Sequence, residues 1–214
     1  MHRNFAIFDL DGTLADSMPF WKELSAEYLK SKGVDPVPED ILERIKPMTI
    51  IESAGLFVSE FGIEGPAAKV ASDLDAVMAG YYKNDVPVKP GVPEYLEGLR
   101  AKGVRMCVAS ATSEELIDAC LRNMGIRHYF EFVISCNTVG VGKKSPLVYQ
   151  EAARRLGARP EDCTVYEDAS YAARTARNAG FHVCAVYDVL SDEGWDELAG
   201  ICHEQIKDWR KAEV

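Results

Sequence analysis

The sequence has no run of apolar residues near the roughly 20 that cross a bilayer, so a membrane-spanning role is not expected. It has no Cys-x-x-Cys pair. Cys107, Cys120, Cys136, Cys163, Cys184 and Cys202 are scattered, with no histidine at zinc spacing, so neither a zinc module nor a disulfide framework is expected. Several lie in strand-like apolar runs, where a free thiol behaves as a small hydrophobe, and the reading is a reducing, cytoplasmic protein. Met1-His2-Arg3-Asn4 leads straight into such a run, without the pattern of a signal peptide. Repeats and low-complexity segments are absent. Positive charge is scarce: 24 Lys and Arg stand against 34 Asp and Glu, a net charge of −10. That balance argues against a nucleic-acid surface, and any anion pocket must be positive locally. What is present is ordinary for a globular chain: 214 residues, 47% of them hydrophobic, enough for a full core.

Five short apolar runs read as strands: Phe5–Phe8, Val104–Ala109, Phe132–Ser135, Cys163–Tyr166 and Val183–Val186. Helical patterns precede the last four. Pro90–Lys102, Ser113–Met124, Pro146–Leu156 and Ala169–Ala179 each end close to a glycine stop. Thr112 with Glu115 has the spacing of a capping box. Alternation of strand and helix predicts an α/β fold with a doubly wound, mostly parallel sheet. The first two strands break the rhythm, being separated by about 95 residues where a crossover needs a dozen or more. The excess reads as a helical insert, with helices over Asp16–Ser31, Glu39–Arg44, Thr49–Phe61 and Pro66–Tyr82. Val86-Pro87-Val88-Lys89-Pro90-Gly91 forms a stiff return. The expected division is a core of residues 1–15 and 88–214 with a cap of residues 16–87 placed as a lid. Glu193–Lys211 reads as a helix covering the sheet, with no chemistry assigned.

In a sheet of this kind ligands bind beyond the carboxyl ends of the strands. Strand one ends at Asp9, with Asp11 two residues on and Gly12 permitting a sharp turn. Two crowded carboxylates repel, and a divalent cation is the simplest reason to keep them, although Asp-Gly is also a common surface turn. The second strand ends at Ser110, before Ala111 and a helix start. Gly140–Pro146 (GVGKKSP) follows the third, and Glu167-Asp168 ends the fourth. Carboxylates, a hydroxyl and a lysine pair on one edge have the composition of a magnesium and phosphate site. Asp9 and Asp168 would hold Mg2+, with the Asp11 backbone carbonyl and Glu167 contributing. Ser110 and neighbouring backbone N–H groups, including that of Ala111, would bind phosphoryl oxygens. A lysine would neutralise charge in the transition state.

These residues, in this order, resemble the haloacid dehalogenase-like phosphohydrolase superfamily, and the resemblance covers essentially the whole chain. Asp9 to Thr13 matches its Asp-x-Asp-Gly-Thr motif, Ser110 in VASATS the second, Lys143 in GKKSP the third, and Glu167-Asp168 the acidic fourth. The insert resembles the α-helical cap of the subgroup that includes β-phosphoglucomutase and phosphoglycolate phosphatase. The resemblance implies Asp9 as nucleophile, Asp11 as general acid/base and Mg2+ as cofactor. The chain departs from that subgroup at Lys144 and Leu147, where Lys-Pro-x-Pro-Asp is usual, and at Ala169 and Ala172, where Ser and Gly are usual.

The cap should choose the substrate. Trp21, Lys46 and Thr49, with Lys22 and Met48, are candidates to face the site. The expected function is a phosphatase acting on a small phosphomonoester through an aspartyl-phosphate. The alternatives are a phosphosugar mutase and a non-catalytic binding member. Mutases of the subgroup usually carry His where Trp21 stands, which favours hydrolysis. The expected partner is a small phosphate ester, with the chain a monomer or weak homodimer.

Overall fold

The protein, as a computed structural model, is described over residues 3–45, 48, 50–189 and 194–214, with backbone alone at 42 and 43. Among these residues six strands form one sheet: β1 (Phe5–Phe8), β2 (Arg105–Ser110), β3 (Val133–Ser135), β4 (Cys163–Glu167), β5 (His182–Val186) and β6 (Glu204–Ile206). All pairs are parallel and the order is β3-β2-β1-β4-β5-β6. The chain therefore winds outward from β1 in one direction, then returns to β1 and winds outward in the other. The crevice at that reversal, between the ends of β1 and β4, is where such sheets bind ligands.

Successive strand residues face opposite sides, so Ala6 and Phe8 enter one apolar cluster and Ile7 the other. Four helices lie between β1 and β2 before the flanking layers begin: α1 (Met18–Ser31), α2 (Glu39–Ile45), α3 (Ile50–Phe61) and α4 (Ala67–Asn84). They pack chiefly α3 on α4 and α1 on α4, and α4 also meets the sheet layer. That layer holds α5 (Val92–Ala101) and α6 (Glu114–Asn123), which bury Leu96, Leu99, Leu116 and Ile117 in the cluster of Phe8. The one-turn α7 (Cys136–Val139) follows β3. On the other face α8 (Leu147–Leu156), α9 (Ser170–Asn178) and α10 (Trp195–Ile201) bury Val148, Tyr149, Ala173 and Leu198. The doubly wound expectation holds.

The connections into and out of the four-helix insert run side by side. The Asp16 amide donates to the Pro87 carbonyl and the Lys89 amide to that of Leu14, both at 2.9–3.0 Å, and Ala15 bridges Val88. The Lys89 ammonium is buried 2.7 Å from Asp188 beyond β5, which fixes the return segment to the sheet.

The C-terminal stretch differs from expectation. Instead of one helix over Glu193–Lys211, α10 ends at Ile201, β6 follows, and a 3-10 turn spans Trp209–Lys211; residue 193 lies outside the described residues. Three residues, two of them exposed, are too few to show a strand period, and β6 is fixed by pairing Cys184, Ala185 and Val186 with Glu204, Gln205 and Ile206. The turn that follows buries Trp209, whose indole N–H donates to the Thr13 carbonyl at 3.2 Å and so braces the loop after β1.

Candidate active site

The loop after β1 is built by repeated donation to one carbonyl. The amides of Leu14 and Ala15 both reach Leu10 O at 2.9 Å, and Gly12 takes a φ of +77°. That positive φ is the reason for glycine. The compact turn leaves Asp9 at the strand mouth and Asp11 on the flank toward β2.

Asp9, Glu167 and Asp168 come together as one cluster, all buried, with carboxylate oxygens within 4.8 Å of one another. Lys143, from the loop between α7 and α8, lies 2.5 Å from Asp9 Oδ1 and 2.6 Å from Glu167 Oε1. Its neighbour Lys144 is exposed. The loop turns through Ser145 N–H to Gly142 O at 3.0 Å, and Leu147 at its end is exposed, without the carboxylate usual there. Tyr149, fully buried on α8, donates to Glu167 Oε1 at 2.6 Å.

Three carboxylates against one ammonium would, with all three ionised, leave two negative charges uncompensated in a buried place. Burial, then repulsion from Glu167, pushes Asp9 well above the usual carboxylate range, with Asp168 and Asp11 adding and Lys143 opposing. Burial, then Glu167 and Asp188, pushes Asp168 up to about 8. Burial works against the Lys143 ammonium, but Asp9 and Glu167 outweigh it and hold its pKa well above the usual value. The directions agree: excess negative charge keeps lysine protonated and makes the acids reluctant to ionise. Asp9 Oδ1, despite its ion pair, and Glu167 Oε2 have no hydrogen-bond donor among the described residues. The two open oxygens, the two missing positive charges and an all-oxygen donor set fit a hard divalent cation such as Mg2+. Among the described residues the Asp11 side chain is not part of this cluster.

Asp11 is surrounded by donors instead. Its Oδ1 accepts from Ser17 (2.6 Å), Tyr82 (2.5 Å) and the Trp21 indole (3.3 Å). Its Oδ2 accepts from Thr112 (2.8 Å) and, at 3.5 Å, from Ser110. Ser110 at the end of β2 accepts the Thr112 amide at 3.1 Å, and Ala111 lies half-buried between them. The long reach to Asp11 leaves the Ser110 proton the least committed of the four hydroxyls, suited to a phosphoryl oxygen.

The sequence reading missed four members of this arrangement. Thr112 and Glu115 have the spacing of a capping box, but Ser113 is the residue before α6 and no side chain caps it; the Thr112 hydroxyl is taken by Asp11. Its position two residues after Ser110 was the available signal. Ser17, Tyr82 and Tyr149 carried none at short range. Among the cap candidates, Trp21 is half-buried against Asp11 and Tyr82 (3.0 Å to its hydroxyl), Lys22 is exposed, and Lys46 and Thr49 lie outside the described residues. Met48 lines a cleft of about 350 Å3 with Glu52, Leu56, Ser59, Gly142 and Lys144, between α3 and the Lys143 loop.

A family model described as haloacid dehalogenase-like hydrolase matches residues 5–180. The chain is 26% identical over 184 residues to a phosphorylated carbohydrates phosphatase of Thermotoga maritima, covering 86% of this chain and 84% of that one. It is 29% identical over 177 residues to a phosphoglycolate phosphatase of Rhodobacter capsulatus, covering 81% and 80%. Among solved structures, CbbY from Rhodobacter sphaeroides in complex with xylulose-(1,5)bisphosphate superposes with a TM-score of 0.83 at 21% identity, over 98% of this chain and 96% of that one.

Proposed function

We propose that this chain, which belongs to the haloacid dehalogenase-like hydrolase family, is a Mg2+-dependent phosphatase of small phosphomonoesters that works through an aspartyl-phosphate. The observation that carries the reading is the buried cluster of Asp9, Glu167 and Asp168, short of positive charge by two units, with Asp11 and Ser110 beside it. Relatives that act on phosphorylated carbohydrates and phosphoglycolate point to the same substrate class.

Asp9, Asp168 and the Asp11 carbonyl would hold Mg2+, with Glu167 directly or through water. The ion supplies positive charge against the phosphoryl oxygens and the carboxylates. An Asp9 oxygen attacks phosphorus as the bond to the leaving oxygen breaks. Lys143 and Ser110, with the backbone at Ala111, neutralise and orient the phosphoryl group. Asp11 gives a proton to the departing alkoxide. It then takes one from water, whose oxygen bonds phosphorus as the Asp9–phosphorus bond breaks.

Residues 1–15 and 88–214 are read as the catalytic core and 16–87 as the cap. The paired connections at Ala15–Val88 and Asp16–Pro87 support that division. The described residues include no helix long and apolar enough to cross a membrane. We read the setting as reducing and cytoplasmic, which the six unpaired cysteines support. We read the chain as a monomer or weak homodimer. The test is a panel of phosphomonoesters with and without Mg2+. Phosphate release that needs the metal supports the reading. No release from any ester, or transfer between sugar positions without release, overturns it.

A further inference from the structure

Asp11 must aim one oxygen at the leaving group, yet it is a short side chain whose carboxylate is free to rotate unless its neighbours hold it. The donors that hold it come from both parts of the chain. Thr112 and Ser110 reach Oδ2 from the end of β2. Tyr82 reaches Oδ1 from α4; the Trp21 indole on α1 lies 3.3 Å from the same oxygen but gives its single N–H chiefly to Tyr82, at 3.0 Å. Tyr82 makes one of the two shortest of these contacts and is fully buried in the last turn of α4.

Proton bookkeeping assigns its direction. The phenol has one proton and two acceptor sites. The Trp21 indole, which can only donate, lies 3.0 Å from the Tyr82 oxygen and occupies one acceptor site. Thr112 has a single hydroxyl proton, and its 2.8 Å contact to Asp11 outcompetes the 3.4 Å contact to Tyr82. The Tyr82 proton therefore goes to Asp11.

We propose that Tyr82, itself held by the Trp21 indole, is a positioning residue that fixes the orientation of the Asp11 carboxylate for proton transfer to the leaving oxygen. It does not touch the reacting atoms; it acts through Asp11. This rests on the phosphatase reading and on Asp11 as the acid. A charge-assisted hydrogen bond of this kind is worth about tenfold to a hundredfold in an equilibrium or rate.

The test compares two esters in the intact protein: p-nitrophenyl phosphate, whose leaving group needs little protonation, and the one of fructose 1-phosphate, glucose 6-phosphate and sorbitol 6-phosphate that the parent turns over fastest. For Tyr82→Phe, the ratio of kcat/KM for the sugar ester to that for the nitrophenyl ester should fall about tenfold or more. In an Asp11→Asn background the same change should have no further effect on that ratio, because the two act as one unit. Trp21→Phe, which keeps an aromatic ring and deletes the N–H, should shift the ratio the same way by less; it serves if Tyr82→Phe does not fold. Equal losses on both esters, or an additive loss in the Asp11→Asn background, would show a merely structural role and overturn the proposal. A parent inactive on every ester would overturn the phosphatase reading and the assignment with it. A parent that is active while Tyr82→Phe keeps the parental ratio overturns the assignment alone.

Discussion

Gly12 and Asp168 approach so closely that a Cβ on the glycine would overlap the Asp168 carboxylate. The left-handed φ of +77° adds a conformational penalty for any side chain there. One residue thus serves the turn after β1 and the geometry of the acidic cluster. Gly12→Ala should displace Asp168 and weaken divalent-cation binding by about 10–100-fold, the range found when ligand orientation is disturbed. Calorimetric titration with Mn2+ or Mg2+ reads this directly, and parental affinity would contradict it.

Asp11→Asn should act according to the leaving group. The expected loss is about 10²–10⁴ in kcat/KM for a sugar phosphate and far less for p-nitrophenyl phosphate. An equal loss on both would remove Asp11 from the acid role.

Lys143 is the buried counter-charge for Asp9 and Glu167. Lys143→Met leaves those carboxylates facing each other without it. Without metal, urea unfolding should show a loss of about 3–5 kcal/mol, and saturating Mg2+ should recover a larger increment than in the parent. A loss under about 1 kcal/mol would mean that the pair contributes little.

The raised acids make metal binding and pH one problem. Asp168 titrates at about 8 in the folded protein and near 4 when unfolded, and Asp9 moves in the same direction. Between those values the metal-free folded state keeps protons that the unfolded chain has released. This contribution to stability is therefore full below about pH 4 and lost as pH rises toward 8. Cation binding needs the ionised carboxylates, so Mg2+ addition at pH 7 should release protons. Titration in two buffers of different ionisation enthalpy measures the number, and zero release would contradict the raised values.

Local signals carried much of this structure. Apolar runs located five strands and glycine stops located α5, α6, α8 and α9, because buried parallel strands and capped helices announce themselves within a few residues. The candidate residues at strand ends were legible as positions for the same reason: Asp9, Ser110, Lys143 and Glu167-Asp168 each follow a readable element. The contacts made across the fold were not legible. Tyr82 meets Asp11 over 71 positions and Tyr149 meets Glu167 from a helix face that otherwise reads as core. The Lys89–Asp188 pair joins segments 99 positions apart. Strand β6 was hidden by its length.

The most direct measurement looks for phosphate on Asp9. The protein is mixed with a phosphomonoester it hydrolyses, quenched in acid, reduced with borohydride to capture any acyl phosphate, digested and read by mass spectrometry. The peptide containing Asp9 should carry the reduction product only when Mg2+ was present. Asp9→Asn should lack it and lose turnover by about 10⁴–10⁶-fold, as when the nucleophile of a covalent mechanism is removed. Capture at another residue, or parental turnover in Asp9→Asn, would contradict the assignment of Asp9 as the phosphoryl acceptor.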